Sequence, residues 1–534
     1  MNLEGLEKND ANYVPLSPLS FLLRAARVYP HRTATIYNGK KRTWQEVHKR
    51  CMQFAAALKK NDIGKGDVVS ILAVNTPEIF EAHFAVPMAG AVLNAINVRL
   101  DMPTLRYIFE HSETKMIFVD GEFAAKTKEA VSEMKNPPML IDITDDSFDG
   151  GEKVGECDYE EFIKRAKGEE LFLMPDDEWQ PITLNYTSGT TGNPKGVVYH
   201  HRGAYLMASG TAVGWEMKTH GVLLYTVPMF HCNGWCYPWT QALLAGEVVC
   251  IRKIDGDDIL RLISEYRVDY MGGAPIVLST VIAAANGQKL PHKVKLVTAA
   301  APPPPSTLQA AEAMGFEVMH VYGLTETYGH TTMCAWKSDL WDSLPSDERA
   351  EKMIRQGVGY PILEDWAVMV EGKLAPADGK TMGEIVMRGN TVMSGYLKNP
   401  DATKKAFADG WFHTGDLAVQ HDDDYLQIKD RLKDIIISGG ENISSIAVEN
   451  AINKHPAVAA TAVVAKPDDK WGETPCAFVE LAPGQQADEK MMTEFCRENL
   501  PGFMRPRHFV FGELPKTATG KIKKFELREK AKTI

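Results

Sequence analysis

The sequence of 534 residues predicts an α/β protein, a large region of mostly parallel sheets covered by helices and then a small α+β domain. Three observations predict it. The chain is too long for one hydrophobic core, which stops growing near ~250–300 residues. Short β-branched apolar runs alternate with helical segments along most of it, the pattern of strands buried on both faces. Past about residue 430 the texture changes, and short strands share the rest of the chain with two helices.

The elements follow in order. Residues 43–60 read as an amphipathic helix, because Val47, Cys51, Phe54, Ala55 and Leu58 recur at helical spacing. VVSILAV (68–74), helical TPEIFEAHFAVPMAG and AVLNAIN then give strand, helix, strand. MIFVD (116–120), PITLNYT (181–187) and GVLLYTVPM (221–229) read as further strands. VVCIRK (248–253) leads to the helix DDILRLISEY, and VKLVTAA (294–300) leads through APPPPS (301–306), a stiff turn, to another helix. In the small domain AVAATAVVAKPDD and TPCAFVEL supply strands, and a helix runs from about Asp488 to Asn499. No internal repeat is visible.

Composition excludes several classes. A net charge of -11 argues against nonspecific nucleic-acid binding. Eight scattered cysteines are too few for a disulfide scaffold. Cys232 and Cys236 lie close together with His231 beside them, but no second ligand pair follows at zinc spacing, so they read as structural or pocket-lining. The N-terminus has no apolar signal region, no run reaches the ~18 apolar residues of a membrane span, and the chain ends in AKTI rather than SKL. A cytoplasmic enzyme with no integral membrane segment is expected; oligomeric state is left open, a homodimer included.

The segment YTSGTTGNPKGV (186–197) carries the first chemical signal. Thr187, Ser188, Thr190 and Thr191 supply hydroxyls, and Gly189, Gly192 and Gly196 let backbone N–H groups approach an anion. Lys195 adds a mobile positive charge. The order differs from the common P-loop, which needs a lysine followed by Ser or Thr, whereas Gly196 follows Lys195 here.

This segment resembles the phosphate loop of the adenylate-forming superfamily, which includes acyl-CoA synthetases, nonribosomal peptide adenylation domains and firefly luciferase. HVYGLTET (320–327), DGWFHTGD (409–416), IKDRLKDIIISGGENI (428–443) and PKTATGK (515–521) follow in the family's order. The resemblance implies an adenylate-forming fold: a large domain at 1–432 that binds ATP and the acyl group, and a small mobile domain at 433–534 carrying a catalytic lysine. It implies ATP, Mg2+ and coenzyme A, a small carboxylic acid as substrate, and two half-reactions: a carboxylate attacks the α-phosphate of ATP, and a thiol then displaces AMP.

Residue by residue, it implies that Lys521 touches the carboxylate and the α-phosphate, that Thr325 contacts the same phosphate, and that Glu326 holds magnesium. Tyr322, Gly323, Ala300 and Ala301 would lie along the adenine, with Asp416 and Arg431 on the ribose. Lys433 would be the pivot of the small domain, and Gly439, Gly440 and Glu441 would line a pantetheine channel after the swing. His231 would gate the carboxylate site, and Trp235, Gly273 and Tyr328 would belong to the acyl pocket. Arg505 and Arg507 stand equally as CoA-phosphate contacts or solvated surface residues.

The ensemble looks most like the subgroup of medium-chain acyl-CoA synthetases, plant acyl-activating enzymes and 3-methylmercaptopropionyl-CoA ligases. It implies a CoA ligase for a short or medium-chain acid, 3-methylmercaptopropionate included. Two alternatives stand beside it: an adenylating enzyme with a non-CoA acceptor, and a catalytically inactive nucleotide-binding protein.

Overall fold

Helix Trp44–Lys60 forms where its apolar spacing predicts it. Thr43 accepts from the Glu46 amide and the Glu46 carboxylate accepts from the Thr43 amide, a capping box, while Lys59 and Lys60 meet the negative end of the helix dipole. Val47, Cys51, Phe54, Ala55 and Leu58 are buried along one face. Burying Phe54 or Leu58 alone stabilises by roughly 1.5–3 kcal/mol.

The structure is a computed structural model that describes every residue except 2, 149, 188–192, 300–304, 439–440, 469 and 517–521. It has two compact units: Met1–Met353 with Gly359–Asp365 and Arg388–Lys405, and Ile354–Val358 with Trp366–Met387 and Ala406–Ile534.

The first unit holds two sheets. In one, the parallel strands Met139–Ile143, Thr114–Asp120, Val68–Leu72, Val92–Ala95 and Pro181–Thr187 lie side by side. The antiparallel strands Lys195–His200 and Gly395–Tyr396 extend that edge. In the other, Phe316–Leu324, Val294–Thr298, Tyr270–Gly273, Val222–Tyr225, Glu247–Cys250 and Thr33–Tyr37 run parallel, with antiparallel Gly329–Met333 beside the first and Lys40–Thr43 beside the last. Mostly parallel sheets under helices are what the alternating pattern predicts.

One strand stops early, for a local reason. The sequence predicts a strand over 221–229, but the ladder ends at Tyr225. The buried Asn75 amide donates to the Tyr225 and Val227 carbonyls and accepts from the Met229 amide, so these backbone groups are satisfied outside the sheet. The chain leaves the carboxyl end of the strand as a fixed loop, and in open α/β sheets ligands bind at that end.

The second unit is the predicted α+β region, with a further antiparallel sheet. Strands Asp365–Val370, Gly383–Arg388, Phe412–Gln420 and Leu426–Arg431 form one sheet. Val458–Asp468, Gly472–Leu481 and Ile436–Ser438 form another, accompanied by helices Ser445–Ile452, Glu489–Asn499 and Lys524–Ala531. Residues 406–432 belong to this unit partly through Asp430, 1% exposed, whose carboxylate accepts from the Ser445 amide and hydroxyl. The Lys524 ammonium donates to the Ser445 hydroxyl and pairs with Glu449, both at 2.7 Å. The expected division fell at 432/433, whereas by compactness residues 406–432 group with the second unit. Among the described residues, no helix is long and apolar enough to cross a membrane.

Candidate functional site

Strand Phe316–Leu324 of the first unit turns sharply into the short helix Thr325–Thr327. Glycine is required at 323, where a Cβ would sit 1.8 Å from the Gly329 carbonyl oxygen. The Leu324 amide donates to the Thr327 hydroxyl, which fixes the turn. Thr325 and Glu326 are thereby presented half-buried, beside buried Tyr322.

Glu326 is held from one side. Its Oε1 accepts from the Tyr396 hydroxyl at 2.8 Å, and the Lys195 ammonium lies 4.3 Å from the centre of the same phenol ring. Burial, and then the Glu326 charge, push the Tyr396 phenol well above its ordinary pKa, so it stays a donor. Lys195 and Thr187 are cross-strand partners at the two ends of the glycine-rich loop. Ser188, Gly189, Thr190, Thr191 and Gly192 lie outside the described residues, as do Ala300 and Ala301. The structure thus joins Lys195 to Glu326 through a tyrosine that the sequence reading missed. Tyr396 sits 70 residues from Glu326, and no local pattern links the two.

Thr325 is held from the other side. Its carbonyl accepts from the Tyr199 hydroxyl at 2.6 Å, and the Cys232 thiol donates to its Oγ1 at 3.5 Å. Both ring nitrogens of His231 lie 3.9 Å from the same sulfur, so His231, Cys232 and Thr325 form one contiguous group. Burial pushes the Cys232 thiol up, but its electrostatic interaction and hydrogen bond with His231 and its hydrogen bond with Thr325 outweigh that and hold it below its ordinary pKa.

The chain from Cys232 to Cys236 is left-handed throughout, with φ of 49°, 53°, 58°, 57° and 61°. Such a conformation costs roughly 1–2 kcal/mol per non-glycine residue and persists only where the surroundings impose it. Here the Tyr225 hydroxyl donates to the Gly234 carbonyl, and the Asn233 side-chain oxygen accepts from Thr183 and Asn185. The turn buries Trp235 between two glycines: a Cβ at Gly272 would lie 3.4 Å from the indole and one at Gly329 3.2 Å. Gly273, the last residue of its strand, faces Val277, which a Cβ would meet at 3.0 Å.

Tyr328, expected near the acyl pocket, is fully buried, its hydroxyl accepting from the His200 amide at 2.8 Å and donating to the His200 carbonyl at 3.2 Å. Its ring stacks on Tyr199 and fills the space left by Gly203.

In the second unit Asp416 and Arg431 are direct cross-strand partners, with the guanidinium Nε 3.3 Å from the carboxylate and Asp416 5% exposed. Lys433 is exposed two residues on. Glu441, also exposed, is the cross-strand partner of Ser438; Gly439 and Gly440 lie outside the described residues. Lys521 lies outside them too. Arg505 is engaged internally, its guanidinium donating to the Leu500 and Arg497 carbonyls. Arg507 instead lies 5.4 Å from the centre of the Trp471 ring.

The profile of the AMP-binding enzyme family matches residues 22–397, and that of the AMP-binding enzyme C-terminal domain matches 447–521. Over its whole length the chain is 49% identical to an acetate–CoA ligase of Humulus lupulus, of which it covers 98%. It is 48% identical to a peroxisomal acetate/butyrate–CoA ligase of Arabidopsis thaliana, covering 100% of this chain and 97% of that one. The o-succinylbenzoate CoA synthetase from Bacillus subtilis, solved with its acyl-adenylate intermediate, matches at a TM-score of 0.83 and 26% identity over 95% of this chain and 97% of that one.

The chain belongs to the AMP-binding enzyme family. It is an AMP-forming acid–thiol ligase, an acyl-CoA synthetase working through an acyl-adenylate, and enzymes of this kind use ATP, Mg2+ and coenzyme A. The residues present fit magnesium. Among the described residues no group of three or more His, Cys, Asp or Glu could cage a metal. A half-buried carboxylate, Glu326, is joined through Tyr396 to Lys195, and Mg2+ characteristically takes one or two carboxylates and fills its shell with phosphate oxygens and water.

Proposed function

We propose that this enzyme joins a short or medium-chain carboxylic acid to coenzyme A, with 3-methylmercaptopropionate and medium-chain fatty acids among its candidates. The supporting observation is the convergence on one turn: Thr325 and Glu326 are flanked by Lys195 through Tyr396 and by His231 through Cys232. A phosphate handler on one side and a carboxylate handler on the other is what adenylation needs. The relatives' names point to small acids, being those of acetate, butyrate, 2-methylpropanoate and trans-cinnamate ligases.

In this reading the Ser188–Gly192 backbone and Lys195 hold the β- and γ-phosphates. Thr325 orients the α-phosphate for attack, and Tyr322 and Gly323, with Ala300 and Ala301, flank the adenine. Asp416 accepts the ribose hydroxyls, its two oxygens suited to a vicinal diol, and Arg431 pairs with it at 3.3 Å. Lys521 neutralises the two converging anions, a contribution of roughly 3–4 kcal/mol for one preorganised donor. His231 borders the carboxylate site, and Trp235 with Gly272 and Gly273 borders the acyl group. Magnesium, when bound at Glu326, offsets phosphate charge.

The chain then pivots at Lys433, Lys521 withdraws, and the loop at Gly439, Gly440 and Glu441 admits the pantetheine thiol. Arg507 is the better contact for CoA phosphates, because Arg505 already serves backbone carbonyls. A cytoplasmic location goes with this reading, since all eight cysteines are free, as a reducing compartment keeps them.

The experiment is pyrophosphate release over propionate, butyrate, hexanoate, octanoate and 3-methylthiopropionate, with and without CoA. Release that turns over only with CoA supports the ligase. Turnover indifferent to CoA points to another acceptor, and no acid-dependent release contradicts the reading.

A further inference from the structure

Beside Trp235 lies a buried cluster that the chemistry above leaves unused. The His330 imidazole is 2% exposed, and neither ring nitrogen meets a hydrogen-bond partner among the described residues. The phenol oxygens of Tyr237 and Tyr360 are buried and likewise unpartnered there. His330 is the common neighbour of all three rings. Its centroid is 5.3 Å from Trp235, with the planes at 85°, and 5.7 and 5.2 Å from Tyr237 and Tyr360.

A buried polar group left unpaired costs roughly 1–3 kcal/mol, so an imidazole here is poor filler on stability grounds. Burial pulls it down to about 3, so near neutral pH it packs as an uncharged ring. Its position has a direct mechanical consequence. Trp235 is flanked by Gly272 and Gly329, neither of which has a side chain to hold it; His330 meets the indole edge-on at 5.3 Å, nearer than Tyr237, whose ring makes a second edge contact at 6.1 Å. An edge-to-face pair of this kind is worth ≈ 0.5–1.5 kcal/mol beyond its area and fixes an orientation.

We propose that His330 sets the depth of the acyl pocket, its ring being the backstop that holds the Trp235 indole in place and thereby fixes the chain length accepted. This rests on the assignment of Trp235 to the acyl pocket. His330 is a positioning residue, acting through Trp235 and touching no reacting atom. Removing its ring lets the indole retreat and lengthens the pocket by the volume of an imidazole. A phenylalanine keeps the edge contact.

The test is acid-dependent pyrophosphate release by the full chain over butyrate, hexanoate and octanoate, for wild type, His330→Ala and His330→Phe. In His330→Ala the KM for octanoate is expected to fall about tenfold relative to that for butyrate, while the KM for ATP stays within about twofold. His330→Phe is expected to restore the wild-type order of acids. An unchanged order in His330→Ala overturns the proposal. So does a loss shared equally by every acid and ATP, which marks a purely structural residue. If His330→Ala does not fold, His330→Val is read in the same way. A wild-type enzyme inert to all acids removes the acyl-pocket assignment itself; an active wild type with an unshifted variant removes only the role of His330.

Discussion

A protonated phenol between the Lys195 ammonium and a carboxylate ties the strand that carries Lys195 to the turn that carries Glu326. Tyr396→Phe keeps the ring under Lys195 but removes the hydrogen bond to Glu326. Hydrogen bonds to charged groups contribute ≈ 1.5–3 kcal/mol, so kcat/KM for ATP in adenylation is expected to fall roughly 10- to 100-fold. Thioester formation from synthetic acyl-AMP is expected to hold. Unchanged adenylation kinetics would show that Tyr396 does not orient Glu326. Residues of this kind explain which part of the site was legible. Lys195, Thr325, Glu326, Asp416 and Arg431 sit in contiguous motifs, whereas Tyr396 and Asn75 act through contacts distant in sequence. The contact of Tyr328 with His200 was not legible either, because it follows from a left-handed backbone, φ 63°, that no local pattern announces.

At the scale of elements, periodicity located the helices well because their caps agree with their apolar faces. Asp255 caps Gly256–Tyr266 and Asp488 caps Glu489–Asn499, as Thr43 caps Trp44–Lys60. The left-handed turn at Cys232–Cys236 was illegible, since only one of its five residues is glycine and the tertiary partners Tyr225, Thr183 and Asn185 impose it. The proposed pivot has a counterpart in side-chain chemistry. Asp430 before Lys433 is bonded to Ser445 after it, so rotation about 433 must break those bonds. Lys433→Pro locks φ near −65° at the pivot. Adenylation is expected to survive in that variant while CoA-dependent turnover falls by at least about tenfold. Full turnover would remove Lys433 as the pivot.

For the whole molecule, the parallel sheets and the α+β region were legible because strand and helix periods alternate cleanly and then change. The pairing order was not, because it depends on crossovers. Among the buried histidines, His83, His200, His201 and His330 couple the fold to pH. Burial lowers each, to about 4, 4, 3 and 3 respectively. The unfolded chain binds protons at these sites below its ordinary pKa near 6.5, while the folded chain does not until pH approaches 4 or 3. Stability is therefore complete above about pH 6.5 and declines as pH falls toward 4, by on the order of 2 kcal/mol per histidine at pH 5. Thermal unfolding at pH 7, 6 and 5 is expected to give a steadily falling Tm, and a Tm unchanged down to pH 5 would contradict their neutral burial.

The most direct measurement divides the two half-reactions in Lys521→Ala. Acid-dependent pyrophosphate release is expected to fall by about two to three orders of magnitude, the loss of one preorganised donor, while thioester formation from synthetic acyl-AMP and CoA stays near wild type. An equal fall in both half-reactions, or none in the first, would contradict a lysine that serves adenylation and then withdraws.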